Sequence, residues 1–128
     1  MKTRILAAAA FFGMTAVIFG AFGAHALKKV LDVQQLSAFE TGVRYQMYHA
    51  FLLFFIGITG GISDKIRNAA SWLVIAGIFL FSGSIYLLST QTLHGFNASF
   101  LGPVTPIGGL LLIVAWFLLF IDFVRKKS

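Results

Sequence analysis

Cysteine is absent from this chain, which removes a disulfide framework, a thiolate metal site and thiol catalysis together while leaving the redox compartment open. Charge is nearly as scarce. Only 11% of the 128 residues are Asp, Glu, Lys or Arg, and four of these are acidic. No paired carboxylates, nucleophile elbow or phosphate-binding loop occurs, so no enzyme activity is expected. The sequence also lacks linkers, low-complexity tracts, compositional breaks and any convincing internal repeat; residues 1–128 read as a single domain.

What remains is overwhelmingly apolar. Hydrophobic residues make up 59% of the chain, with 15 Phe, more than a soluble domain of this size can bury, so its natural solvent is lipid. The formal charge of +6 could suggest a nucleic-acid partner. Its Lys and Arg instead lie in small groups beside apolar runs, so membrane topology explains them and no nucleic acid is expected. Stretches 5–24, 45–62, 69–88 and 104–121 each approach the roughly 20 residues that cross about 30 Å of hydrocarbon. Lipid offers no partner for open backbone groups, so all four are expected to be helices, giving an all-α integral membrane four-helix bundle. With both termini inside, Lys2, Arg4, Lys65, Arg67, Arg125, Lys126 and Lys127 face the cytoplasm, seven against three for Lys28, Lys29 and Arg44 outside. The loop 89–105 has no Lys or Arg. The expected location is the bacterial cytoplasmic (inner) membrane, with multiple passes, N-in and C-in.

Ala24-His25-Ala26 after Lys2, Arg4 and an apolar run resembles a signal-peptide cleavage site, but the run is longer than a usual signal core. Small residues within it argue for retention. Ala9, Gly13, Ala16, Gly20 and Ala24 share one side of a helix, with Phe11, Ile18 and Phe22 opposite, a face that lets another helix approach closely. Ala70, Gly77 and Ser84 repeat the pattern weakly in the third span, and Gly57 and Gly61 offer it in the second. Ser82 and Ser84 are expected to hydrogen-bond carbonyls one turn back. Trp72 and Tyr86 suit interfacial anchors, whereas Trp116, deeper in the fourth span, suits packing.

In residues 102–109, Gly102-Pro103-Val104-Thr105-Pro106-Ile107-Gly108-Gly109, a turn leads to Thr105 as helix cap and Pro106 at the first helical position. Gly108 and Gly109 leave backbone open to a neighbour. The motif reads as a rigid helix start, though a helix N-terminus there could also hold an anion. Asn97-Ala98-Ser99 has the form of a glycosylation acceptor, which carries little weight in a bacterial chain. Residues 27–39 alternate charge and apolar side chains and predict an amphipathic helix on the outer surface or over the bundle mouth.

That segment leads into a dense polar cluster: Glu40, Arg44, Tyr45, Gln46, Tyr48 and His49. Helical geometry splits it. Glu40 and Arg44 are spaced for an i,i+4 ion pair on a face shared with Met47, Tyr48 and Phe51. Gln46 and His49 lie opposite, with Gly42, Leu53 and Gly60, and Tyr45 borders them. Glu40, Arg44 and His49 therefore form no triad on one helix. Three functions compete for these groups. They can tie helix ends together in a structural or interaction protein that self-associates or serves a larger membrane complex. An oligomeric channel or transporter could use Arg44 and His49 to line its path. Outer-side His25, His49 and His94 could hold a haem or metal, although no pair has local ligand spacing. The first reading is preferred, with the lipid bilayer as the immediate partner and no cofactor or metal expected.

Gly20-Ala21-Phe22-Gly23-Ala24-His25-Ala26-Leu27, Val43-Arg44-Tyr45-Gln46-Met47-Tyr48-His49-Ala50, Phe81-Ser82-Gly83-Ser84-Ile85-Tyr86 and Leu101-Gly102-Pro103-Val104-Thr105-Pro106-Ile107-Gly108-Gly109 occur in that order. The chain in this respect resembles the domain of unknown function 423 family of small membrane proteins, which has bacterial members and eukaryotic relatives. Ala26 stands where many members have Gly. The resemblance implies a four-helix integral membrane protein with no established activity, and it favours keeping the first helix.

Overall fold

The computed structural model describes residues 2–126, so Lys127 of the positive-charge pattern lies outside the described residues. Helix α1 (Lys2–His25) is followed by a 3-10 turn, Leu27–Lys29, and α2 (Val33–Ile58). Asp32 starts α2 through a reciprocal capping box: its carboxylate accepts from Gln35 N at 2.8 Å, and its own N–H donates to Gln35 Oε1 at 3.1 Å. The separate amphipathic helix expected over 27–39 is therefore not present. Its first part is the 3-10 turn, and its second is the opening of α2, because nothing after the cap interrupts the helix before His49.

Helix α2 ends four residues short of the expected position 62. Thr59 turns to an extended conformation (φ −77°, ψ 140°), and Gly60 and Gly61, the poorest helix formers short of proline, lie beyond it. Gly61 thus sits in a link and not on a helix-packing face. Helix α3 (Asp64–Ile78), a π turn (Phe79–Gly83) and α4 (Ser84–Ser89) form one rod. A short α5 (Gln91–His94) stops at Gly95, whose φ of 69° a side chain would resist. A 3-10 turn (Ser99–Leu101) then leads to α6 (Val104–Lys126). The described residues are all-α, without strands.

Among the described residues, three helical segments are long and apolar enough to cross a membrane: Lys2–Lys29, Asp64–Ser89 and Ser99–Lys126. Helix α2 is not among them. Arg44, Gln46 and His49 interrupt its apolar run, and the helix end at Ile58 leaves only a short apolar stretch after His49.

The helices run counter to one another along the chain. A Cβ added at Gly57 would lie 2.7 Å from Leu6, at Gly13 3.9 Å from Ala50, at Gly20 3.5 Å from Val43 and at Gly23 3.2 Å from Phe39. Those four contacts set α1 antiparallel to α2 in a constant register. Ala9 and Ala16 are buried on this face, but Ala24 is exposed, since α1 is ending there and Gly23 takes the contact instead. Helix α6 runs antiparallel to α3–α4: Gly77 would meet Leu112 at 2.5 Å, and a Cβ on Gly108 would strike the backbone of Leu80 (2.6 Å to C) and Phe81. Between these pairs the main core holds Phe12, Leu53, Ile56, Ala70, Val74 and Leu112. A smaller one, Leu27, Leu31 and Phe39, lies under Phe19 and Tyr86 where α1 turns into α2.

Candidate functional site

Gly42, Gln46, His49 and Leu53 lie on the buried face of α2, while Glu40, Arg44 and Tyr48 are exposed. Glu40 and Arg44 do not form the expected ion pair. The Arg44 guanidinium instead donates to Thr41 Oγ1 at 3.0 Å, a nearer partner one turn back on an exposed surface where a pair would add little.

Gln46 is the centre of the buried face. Only 3% exposed, it donates from Nε2 to Phe12 O at 2.9 Å and to Thr15 Oγ1 at 2.7 Å, both on α1, and its Oε1 accepts from Tyr86 Oη at 2.6 Å, on α4. One side-chain amide joins three helices with both its N–H groups and its carbonyl engaged. Tyr86, expected as an interfacial anchor, is drawn inward by this bond and by ring contacts with Phe19 and Phe39, both at 5.0 Å between centroids. A groove of about 250 Å³ between α1 and the π turn has Thr15, Gln46 and Tyr86 among its lining residues, otherwise mainly Phe and Ile.

One turn along α2, His49 Nδ1 lies 2.7 Å from Tyr45 O, and Trp116 Nε1 donates to His49 Nε2 at 3.1 Å. A carbonyl only accepts and an indole N–H only donates, so this geometry sets the neutral tautomer with the proton on Nδ1. His49 meets Trp116, which therefore does more than pack. Ser82, in the π turn, reaches Gly42 O on α2 at 2.7 Å instead of a carbonyl one turn back. The extra residue of the π turn turns this hydroxyl toward α2. Ser84 does bond back, to Leu80 O at 2.6 Å, and lies 2.5 Å from Thr105 Oγ1. Thr105 consequently does not cap α6: the helix begins a residue earlier, at Val104, placing Thr105 inside its first turn and Pro106 at the third position, where a missing N–H still costs nothing.

The histidines do not converge. With Gly13 facing Ala50, His49 lies near the level of Met14, and His25 ends α1 roughly 16 Å further along. His94, at the end of α5, is held by near neighbours in the chain: its Nε2 lies 3.1 Å from Leu87 O of α4, and its Nδ1 accepts from Phe96 N at 3.0 Å. Among the described residues no group of three metal-ligating side chains gathers.

A second polar assembly clamps the link between α2 and α3. Arg67, counted in the sequence as a cytoplasmic charge, is 3% exposed, and its guanidinium donates to Ile56 O, to Thr59 O at 3.0 Å and to Ile62 O at 3.2 Å. A cation thus satisfies carbonyls where α2 ends, at the negative end of its dipole. Across the link, Asp122 of α6 accepts from Ser63 N at 3.1 Å and Ser63 Oγ at 2.9 Å, capping α3 from outside, and pairs with Lys126 at 3.6 Å. Thr15 and Asp122 carried one signal in the sequence: each is a polar residue in or just after an apolar run.

A family model described as "Protein of unknown function (DUF423)" matches residues 19–109. A UPF0382 membrane protein of Staphylococcus aureus (strain bovine RF122 / ET3-1) is 44% identical over 84% of each chain. The UPF0382 membrane protein YwdK of Bacillus subtilis (strain 168) is 39% identical over 88% of this chain and 89% of its own. A UPF0382 membrane protein of Haemophilus influenzae is 34% identical over 100% of this chain and 99% of its own. No solved structure matches. The extent of these matches, together with the apolar helices, makes this chain a bacterial-type membrane protein that belongs to the DUF423 family.

Proposed function

We propose that the chain is a multi-pass protein of the bacterial cytoplasmic membrane, a four-helix bundle with both termini inside, that acts as a structural or interaction protein through self-association or within a larger membrane complex and catalyses no reaction. The observation that carries this reading is the use of the buried polar groups on one another: Gln46, Tyr86, Thr15, His49, Trp116 and Ser82 are all engaged in interhelical bonds. Bonds of this kind hold helices together in lipid. Helix α2 fits the role of a fourth span because it lies antiparallel to α1 and to α3–α4 and presents Phe51 (65% exposed), Phe55 and Ile58 outward, a face suited to lipid or protein. The packing of α1 along α2 supports retention of the first helix.

A path lined by Arg44 and His49 has less support, since these side chains leave opposite faces of α2. A haem or metal held by histidines has less again, because both ring nitrogens of His49 and of His94 are engaged within the chain. Native mass spectrometry of gently extracted protein tests the proposal: a homo-oligomer or a defined complex is expected. A bare monomer, together with solute flux in reconstituted vesicles that Arg44 or His49 substitutions abolish, would overturn it.

A further inference from the structure

A crevice of about 220 Å³ lies between Arg4 and Ile5 of α1 and Asn68, Ser71, Trp72 and Ile75 of α3. Ser71 is 4% exposed, and among the described residues its hydroxyl has no hydrogen-bond partner. A buried donor left unpaired is costly, and this one lines a crevice, which marks a place where an acceptor belongs.

The lining narrows the kind of acceptor. Arg4 brings a full positive charge, Asn68 an amide, and no carboxylate lines the crevice. Trp72 is 70% exposed and of the residue type that settles at the membrane–water boundary. Ile75 lies one turn deeper along α3, so the polar groups sit toward the helix ends and an apolar wall lies below them. A water occupies about 30 Å³, so the space accommodates a group several waters in size. We propose that this crevice binds the phosphate group of an anionic membrane lipid. Arg4 neutralises the phosphate, Asn68 and Ser71 donate hydrogen bonds to its oxygens, and an acyl chain descends along Ile5 and Ile75. The site requires only that the helices sit in a bilayer, and stands apart from their orientation and from self-association.

The full chain in mild detergent is titrated with phosphatidylglycerol and, separately, phosphatidylcholine, with bound lipid read by native mass spectrometry. Arg4→Gln is expected to weaken phosphatidylglycerol binding about fivefold, the effect of one cation near a membrane surface. Lys28→Gln, in the 3-10 turn beyond the far end of α1, should leave it unchanged, and phosphatidylcholine should bind more weakly than phosphatidylglycerol to the unaltered chain. Ser71→Ala should also weaken binding, while its lipid-free melting temperature stays level or rises, because only an unpaired hydroxyl is lost. Equal phosphatidylglycerol binding by the unaltered chain, Arg4→Gln and Ser71→Ala overturns the site. Stabilisation by millimolar inorganic phosphate that Arg4→Gln removes would identify a free anion as the occupant and overturn the lipid assignment.

Discussion

Gln46 shows what a single side chain can do where water is scarce. Its amide has two donors and a carbonyl, and α1 and α4 supply partners for all of them. Gln46→Leu should therefore destabilise the protein, and the double-mutant cycle with Tyr86→Phe should give a coupling of about 0.6–1.7 kcal/mol, the range for membrane hydrogen bonds. Denaturant unfolding of the four variants measures it; zero coupling would remove Gln46 as the tie between α2 and α4. Arg44 makes the opposite case. Exposed and, among the described residues, bonded only to Thr41, its replacement by Ala should change stability by no more than about 0.5 kcal/mol. Combined with His49→Ala, the two effects should add within about 0.3–0.5 kcal/mol, because the residues share no partner; stronger coupling would reveal a joint site. The division of residues 40–49 into two faces was legible from periodicity. The partners were not: Thr15, Tyr86 and Trp116 lie 31, 40 and 67 positions away in the sequence.

At the scale of helices, glycine placement decides the crossing of α3 and α6. Gly108 and Gly109 look equivalent in the sequence, yet they differ sharply in surroundings. A methyl group at Gly108 would meet the backbone of Leu80 and Phe81, which has no means of rotating away, whereas at Gly109 it would touch the Phe81 ring at 3.5 Å. Gly108→Ala should thus cost about 1–3 kcal/mol or more, the usual penalty of overpacking, with Gly109→Ala near neutral. Comparing their unfolding midpoints decides between them, and equal effects would count against this crossing. The π turn beside this contact was invisible beforehand, since a helix of the composition Phe-Leu-Phe-Ser-Gly gives no local sign of widening by one residue. Tertiary contacts with Gly108 and Gly42 accompany it. The continuity of α2 was equally hidden, although its start could have been read from Asp32 and Gln35, spaced as a capping box.

For the whole molecule, the antiparallel registers gather Lys2, Arg4, Lys65, Arg67, Arg125 and Lys126 at one end and Lys28 and Lys29 at the other. With no native cysteine, single replacements can report which end faces out. Thr92→Cys should react with a membrane-impermeant maleimide on intact spheroplasts, and Gly60→Cys, where added atoms meet open space, only after permeabilisation. The reverse pattern would overturn the N-in, C-in orientation. Composition alone determined that the helices belong in a membrane, because 15 Phe and 11% charge leave no alternative solvent, and the spacing of Lys and Arg set the expected orientation. Only the tertiary structure decided what the polar residues meet. A hydrogen bond needs its partner within about 3 Å, and residues distant in sequence reach that range only when helices pack, as Gln46 does with Tyr86, His49 with Trp116 and Ser63 with Asp122.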